Sequence, residues 1–335
     1  MIHFPQFWMT THTSSSANSA LQNVPDLSSA IKILKSQQPQ STKLPILINT
    51  LEQYEQEKNQ IPTERYAAQA PRILEMTRHI LAHLDEIPQE NIKLFQTCLS
   101  KGYVLEFDNL QYFHQQPFPD VLVSLVQTLP DGFSWMGSLY TLRLVNKFSN
   151  NALDCGVFIR KTRTINISLA NTIGNKNSRA LNTLDQTALK IVFLEELLHA
   201  FHAECEQPHY DHFPEGDCCT STSHYDLFRS LFDLVHEVLK EKKGEAHLEL
   251  FAKLGVLFLV RPEMIQRIDQ HFRNLIDPDY QEVITIFDCF NTIFPRQNLL
   301  SFCNECCVQE TDLLHFLQSR KNVFDQSFID ILMSR

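Results

Sequence analysis

The sequence predicts an α+β protein: a small, mostly antiparallel sheet between a helical N-terminal region and a helical C-terminal region. Three observations carry this. Apolar residues recur at helical spacing before residue 100 and again after Thr183. Between these stretches, short runs of β-branched and aromatic residues alternate with polar turns. Of the 335 residues, 43% are apolar and 20% charged, enough for a substantial core in one large domain or two closely packed ones.

Residues Thr10 to Ser29 are rich in Ser, Thr and Asn, and residues 1–30 are expected to form a mobile tail. Region 31–100 reads as helices over Leu44–Tyr54, Glu64–Leu84 and Asn91–Leu99, with Pro62, Pro71 and Pro88 near helix starts or in loops. After Gly102 the texture changes. Tyr103–Phe107, Leu139–Phe148, Gly156–Lys161 and Thr164–Leu169 read as short strands, separated by polar turns at Ser149–Asn151 and Asn171–Ser178. Thr183 and Gln186 have capping-box spacing and open a helix that runs to Glu206, before Pro208. Ser223 and Asp226 offer a similar start for Tyr225–Lys243, which ends near Gly244. Further helices follow at Ala246–Leu259, Pro262–Leu275, Tyr280–Phe290 and within Glu310–Met333. The α+β core is assigned to 101–245, with 246–335 packed on it as a helical region.

Composition removes several function classes. A net charge of −10 argues against nucleic acid or an anionic membrane as the main partner. With eight glycines in the chain, neither a P-loop nor a dinucleotide fingerprint is present. Met1–Thr11 has no basic start followed by an apolar core, so no secretory signal is read there. The apolar run near Leu257 is too short to span a bilayer. Nine irregularly spaced cysteines in a long chain point to reduced thiols. A soluble protein of a reducing compartment is the expectation.

The segment Ile191–Cys205 is apolar on almost every side, the mark of a buried helix. Its polar residues do not scatter. Glu195, His199, His202 and Glu206 are 4, 3 and 4 residues apart and share one stripe. Burying carboxylates and imidazoles is costly unless they are paired or metal-bound, and residues one turn apart can hold one ion between them.

Strand Thr164–Leu169, a polar loop, and then the helix Ile191-Val-Phe-Leu-Glu-Glu-Leu-Leu-His-Ala-Phe-His202 resemble the zincin metallopeptidases. The resemblance is strongest to short, secreted effector-type peptidases of pathogenic bacteria, and covers Thr164–Glu206. It implies a zincin-like core around a His-Glu-x-x-His helix, with zinc as cofactor and a protein or peptide as substrate. It also implies delivery from a bacterium into a host cytosol. On the family pattern, Glu196 falls on the general base and His199 on the second ligand, whereas Glu195 occupies the first-histidine position. A carboxylate also ligates zinc, but its added negative charge makes a bound water less acidic. The preceding edge strand is implied to hold the substrate as an added strand. Spacing does not settle the third ligand. His236 and Glu237 rank first, followed by Asp217, His212 and Glu215, while His202 sits awkwardly only one turn away.

Other readings stand beside this one. His199 and His202 can simply donate to carboxylates in a satisfied polar core, and a zincin-shaped helix without metal would be a scaffold that binds a protein partner. Glu196-x-x-His199 and Asp233-x-x-His236 also have the spacing of di-metal carboxylate oxidoreductases, although the strand-rich region before Thr183 does not suit a pure bundle. Cys303-x-x-Cys306, with Cys307 beside it, would need Cys218-Cys219 to complete a zinc site, and core cysteines are the simpler account. Cys155, opening a strand, reads as a buried thiol rather than a nucleophile served by His199 or His224. His79 and His83, one turn apart, fit a solvated helix face.

Overall fold

The computed structural model describes residues 21, 24–36, 41–107, 119–129, 141–145, 155–174, 181–205, 246–275, 285–319, 330, 332 and 333. The chain divides into two compact units, Met1–Ser100 with Gln111–Pro117, and Lys101–Leu110 with Phe118–Arg335.

In the first unit, helices α1 (Leu27–Ser36), α2 (Lys43–Gln56), α3 (Thr63–Ala82) and α4 (Gln89–Ser100) pack around Leu34, Leu47, Leu51, Ile73, Ile80, Ile92 and Phe95. Helix α1 starts inside the stretch read as a tail. Leu27, Ala30, Ile31 and Leu34 form its buried stripe, and the Ser29 N–H donates to Asp26 Oδ1 (2.7 Å) at its start. Serines on the outer face hid that stripe from composition. Pro71 lies within α3 rather than at its edge, on an exposed position. Two polar centres tie the helices. Glu55 on α2 accepts from Ser28, Lys58 and Tyr66, each at 2.6 Å, linking α1, α2 and α3. Lys43 Nζ donates to the carbonyls of Leu84 (2.9 Å), Asp85 (3.2 Å) and Ile87 (2.6 Å) in the turn after α3.

The second unit contains β1 (Val104–Phe107), α5 (Asp120–Thr128), β2 (Thr141–Val145), β3 (Gly156–Ile159), β4 (Thr164–Ser168), α6 (Leu169–Ile173) and α7 (Thr183–Cys205). Then come α8 (Ala246–Val260), α9 (Pro262–Leu275), α10 (Ile286–Ile293), α11 (Leu300–Cys306) and α12 (Glu310–Ser319). The class is therefore mixed α and β, mostly helical, as predicted. The sheet departs from expectation. Its order is β1-β2-β4-β3, with β1–β2 and β2–β4 parallel and only β3–β4 antiparallel. A parallel pair needs a crossover connection, and α5, between β1 and β2, is a helix the sequence reading missed. Its buried stripe of Val121, Leu122, Leu125 and Val126 is half valine, which masks helical spacing behind strand-type composition.

Register assigns every side chain to a face. Leu105, Phe107, Leu142, Leu144, Ile165 and Ile167 share one face with Gly156 and Phe158 and are buried. The opposite face carries Glu106, Arg143 and Asn166 in one cross-strand row, flanked by Thr141, Thr164 and Ser168.

Helix α7 packs against β3, β4, α5, α6, α8 and α12, which is why it is apolar all round. Its start is capped one residue earlier than predicted. The Asp185 N–H donates to Asn182 Oδ1 (2.8 Å) and the Asn182 N–H to Asp185 Oδ2 (3.3 Å). Asn182 leads as a cap because its short amide reaches back to the free N–H groups, and Asp185 adds a charge favourable to that end. Gly255 lets α8 sit close: a Cβ there would lie 2.8 Å from Leu198 Cδ1 and 3.1 Å from Phe290 Cε1. Phenylalanines fill the remaining space, with Phe201 on Phe294 (centroids 4.9 Å) and Phe251 on Phe290 (5.4 Å). No described helix is long and apolar enough to cross a membrane.

Candidate functional site

The centre of the predicted stripe lies on α7 where it crosses β3 and β4. Glu196 is buried, with 6% of its surface exposed, whereas Glu195 and His199 are half-buried. At about 100° per residue, Glu196 is turned about 100° from Glu195 and about 60° from His199, so the helix presents one carboxylate inward and two ligand-type groups along its rim. Each of the three makes a polar, ring or electrostatic contact. The burial of Glu196 has a specific cause. Gly156 is the α7-facing residue that opens β3, and a Cβ there would fall 2.5 Å from Glu196 Oε1 and 2.6 Å from its Cγ. The carboxylate thus fills the space a side chain at 156 would take.

Gly156 is a site residue the sequence reading placed in a strand without assigning it a role. A signal was available: a glycine inside a strand pattern marks a close approach, and this chain has only eight.

Strand β3 is outermost in the sheet among the described residues. The Ser168 N–H donates to the Cys155 carbonyl (2.7 Å) across the antiparallel pair. In such a ladder alternate residues bond inward, so Val157 and Ile159 turn their peptide groups to β4, while those of Gly156 and Phe158 point to the outer edge.

The other predicted residues distribute as follows. His202 lies on α7, but its side chain is outside the described residues, as are Glu206, His212, Glu215, Asp217, His224, Asp233, His236 and Glu237 in full. Among the described residues no group of three or more His, Cys, Asp or Glu side chains is placed to hold a metal ion. Cys155 is buried with Sγ 3.1 Å from the Asn171 carbonyl, and strand alternation turns it from the α7 face. Cys303 and Cys306 are buried on α11, and burial pushes both thiols above their ordinary range, so they sit as neutral core groups beside exposed Cys307. The His79 and His83 rings stack obliquely, centroids 5.0 Å apart, and His83 Nδ1 lies 3.5 Å from Glu86 Oε2.

A separate polar cavity of about 310 Å³ borders the first turns of α7, lined by Asp120, Ser124, Gln186, Lys190 and Glu305 among others. Its one lysine, Lys190, is committed to the carbonyls of Glu305 and Cys307 at the end of α11.

Comparison with protein-family models, with curated proteins and with solved structures finds no match.

Proposed function

We propose that this protein is metallopeptidase-like, hydrolysing peptide bonds with Glu196 as general base and Glu195 and His199 as two metal donors, on a zincin-like core. The observation that carries the reading is the placement of Glu196. A buried carboxylate pressed against the backbone of an outer strand, with an imidazole and a second carboxylate on adjacent turns of the same helix, suits water activation beside an extended peptide.

The donor set fits zinc in kind, since one carboxylate oxygen and one imidazole nitrogen four residues apart are ordinary zinc donors. His236 and Glu237 are the candidates for completing it. Zinc held there would supply Lewis acidity toward water and the scissile carbonyl. Glu196 takes the proton from the attacking water. Its contact with Gly156 keeps the carboxylate in one orientation, and the outward peptide groups of Gly156 and Phe158 align the substrate chain. A degenerate scaffold that binds a partner without catalysis is the second reading, favoured by the carboxylate at position 195, which weakens the first metal donor.

Metal analysis of protein purified without chelator separates them: about one equivalent of zinc for a peptidase, well under one for a scaffold, and about two of iron or manganese for a di-metal oxidoreductase. Glu196→Gln retains zinc and loses activity, His199→Ala loses both, and Glu195→His raises activity if the rest of the site is intact. Protein that stays metal-free through zinc titration ends the peptidase reading.

A further inference from the structure

The cavity of about 310 Å³ lies within the second unit, between the first turns of α5 and α7 and the end of α11. Its walls carry charges of both signs that the fold does not match to each other. Lys190 Nζ has three N–H groups; two donate to the Glu305 and Cys307 carbonyls, and the third has no partner among the described residues. Glu305, half-buried, and Asp120, exposed at the start of α5, line the same space. Among the described residues no ion pair joins either carboxylate to Lys190, and neither accepts a hydrogen bond.

Helix α5 adds open donors. It begins on Pro119 with no side-chain cap, and the Leu122 and Val123 N–H groups bond the Pro119 carbonyl (2.9 and 3.3 Å). The Asp120 and Val121 N–H groups stay open at the positive end of that helix. One turn on, the half-buried Ser124 hydroxyl faces the same cavity, and Val121 and Leu181 give it an apolar wall. A cation and a carboxylate that share a cavity without meeting are matched by one molecule that bears both charges.

We propose that this cavity binds a free aliphatic α-amino acid. Its carboxylate takes the third Lys190 N–H and the open N–H groups of α5, and its ammonium lies between Glu305 and Asp120. Ser124 bonds either group, and the side chain covers Val121 and Leu181. The volume is at the small end for ligand cavities, which suits a molecule of this size rather than a peptide. The site is separate from the proposed peptidase centre, since Lys190 and Glu196 stand six residues apart on α7, about 9 Å along its axis.

The test is isothermal titration calorimetry on the full-length protein with three probes. These are L-leucine, N-acetyl-L-leucine, which lacks the ammonium, and L-leucine amide, which lacks the carboxylate. The two analogues also stand for the carboxyl and amino ends of a peptide, so they distinguish a free amino acid from a chain terminus. Leucine is expected to bind about tenfold more tightly than either analogue. Glu305→Gln and Asp120→Asn keep side-chain size and remove one negative charge each. Each lowers the affinity for leucine without weakening N-acetyl-L-leucine, while the circular dichroism spectrum stays unchanged. No binding of leucine, equal or tighter binding of either analogue, or a leucine affinity indifferent to both substitutions overturns the proposal. The readout needs neither metal nor turnover, so its outcome is independent of the peptidase reading.

Discussion

Gly156 and Glu196 are one packing unit, because the backbone approach that buries the carboxylate leaves no room for a methyl group. Gly156→Ala forces either the strand or the carboxylate to move, at a cost of about 1–3 kcal/mol. Glu196→Ala empties that space. The two substitutions are therefore expected to be strongly non-additive in urea unfolding, with the double variant recovering most of the loss of Gly156→Ala. Additive effects would show that the contact does not constrain the site. Glu195 and His199 were legible because ionisable groups on an otherwise apolar helix are conspicuous in sequence, and both are half-buried on α7. The turning of Glu196 away from Glu195 and His199 toward Gly156 was not, since it depends on which face of α7 meets β3.

Among the elements, boundaries followed local chemistry where the helix carried its own signals. Pro262–Leu275 was read to the residue because Pro at the first position and a strong apolar period need no partner. Helix α10 depends on its neighbour instead. The Ile286 and Phe287 N–H groups donate to the carboxylate of Asp269 on α9 (2.7 and 3.1 Å), in addition to the local cap of Thr285 on the Asp288 N–H (3.0 Å). Burial pushes the Asp269 carboxyl above its usual range even though both N–H bonds and Arg273 pull it down. Asp269→Ala leaves two helix-end donors unsatisfied and is expected to cost about 1–3 kcal/mol, whereas Asp269→Asn, which keeps an acceptor, costs less. Chemical denaturation of both variants checks this, and equal losses would show that charge rather than hydrogen bonding holds α10.

At the scale of the whole molecule, the chain divides into two compact units, and perturbing one is expected to leave the other's core intact. Glu55 tests this through pH. Burial works to raise its pKa, but the bonds from Lys58, Ser28 and Tyr66 together outweigh burial and hold the carboxylate below its ordinary value. A depressed folded pKa contributes stability that is fully present above the unfolded value, about 4.3, and is lost as pH falls through the folded one. The stability gap between the native protein and Glu55→Gln is thus expected to be full at neutral pH and to close below about pH 4.3. Hydrogen exchange should rise in the helices spanning 27–100 and not in α7 or α8, and a rise across both units would contradict their independence. By itself the sequence determined the mixed class, the helices that carry their own caps and periodicity, the apolar all-round character of α7 and the polar pair Glu195 and His199 one turn apart on it, because these follow from residues within a turn or two of each other. The parallel pairing of β1, β2 and β4, the crossover helix α5, and the seating of Glu196 on Gly156 were decided only by tertiary structure. Strand order and helix facing arise from contacts between residues tens of positions apart, and no local pattern encodes which edge of a sheet a helix will cover.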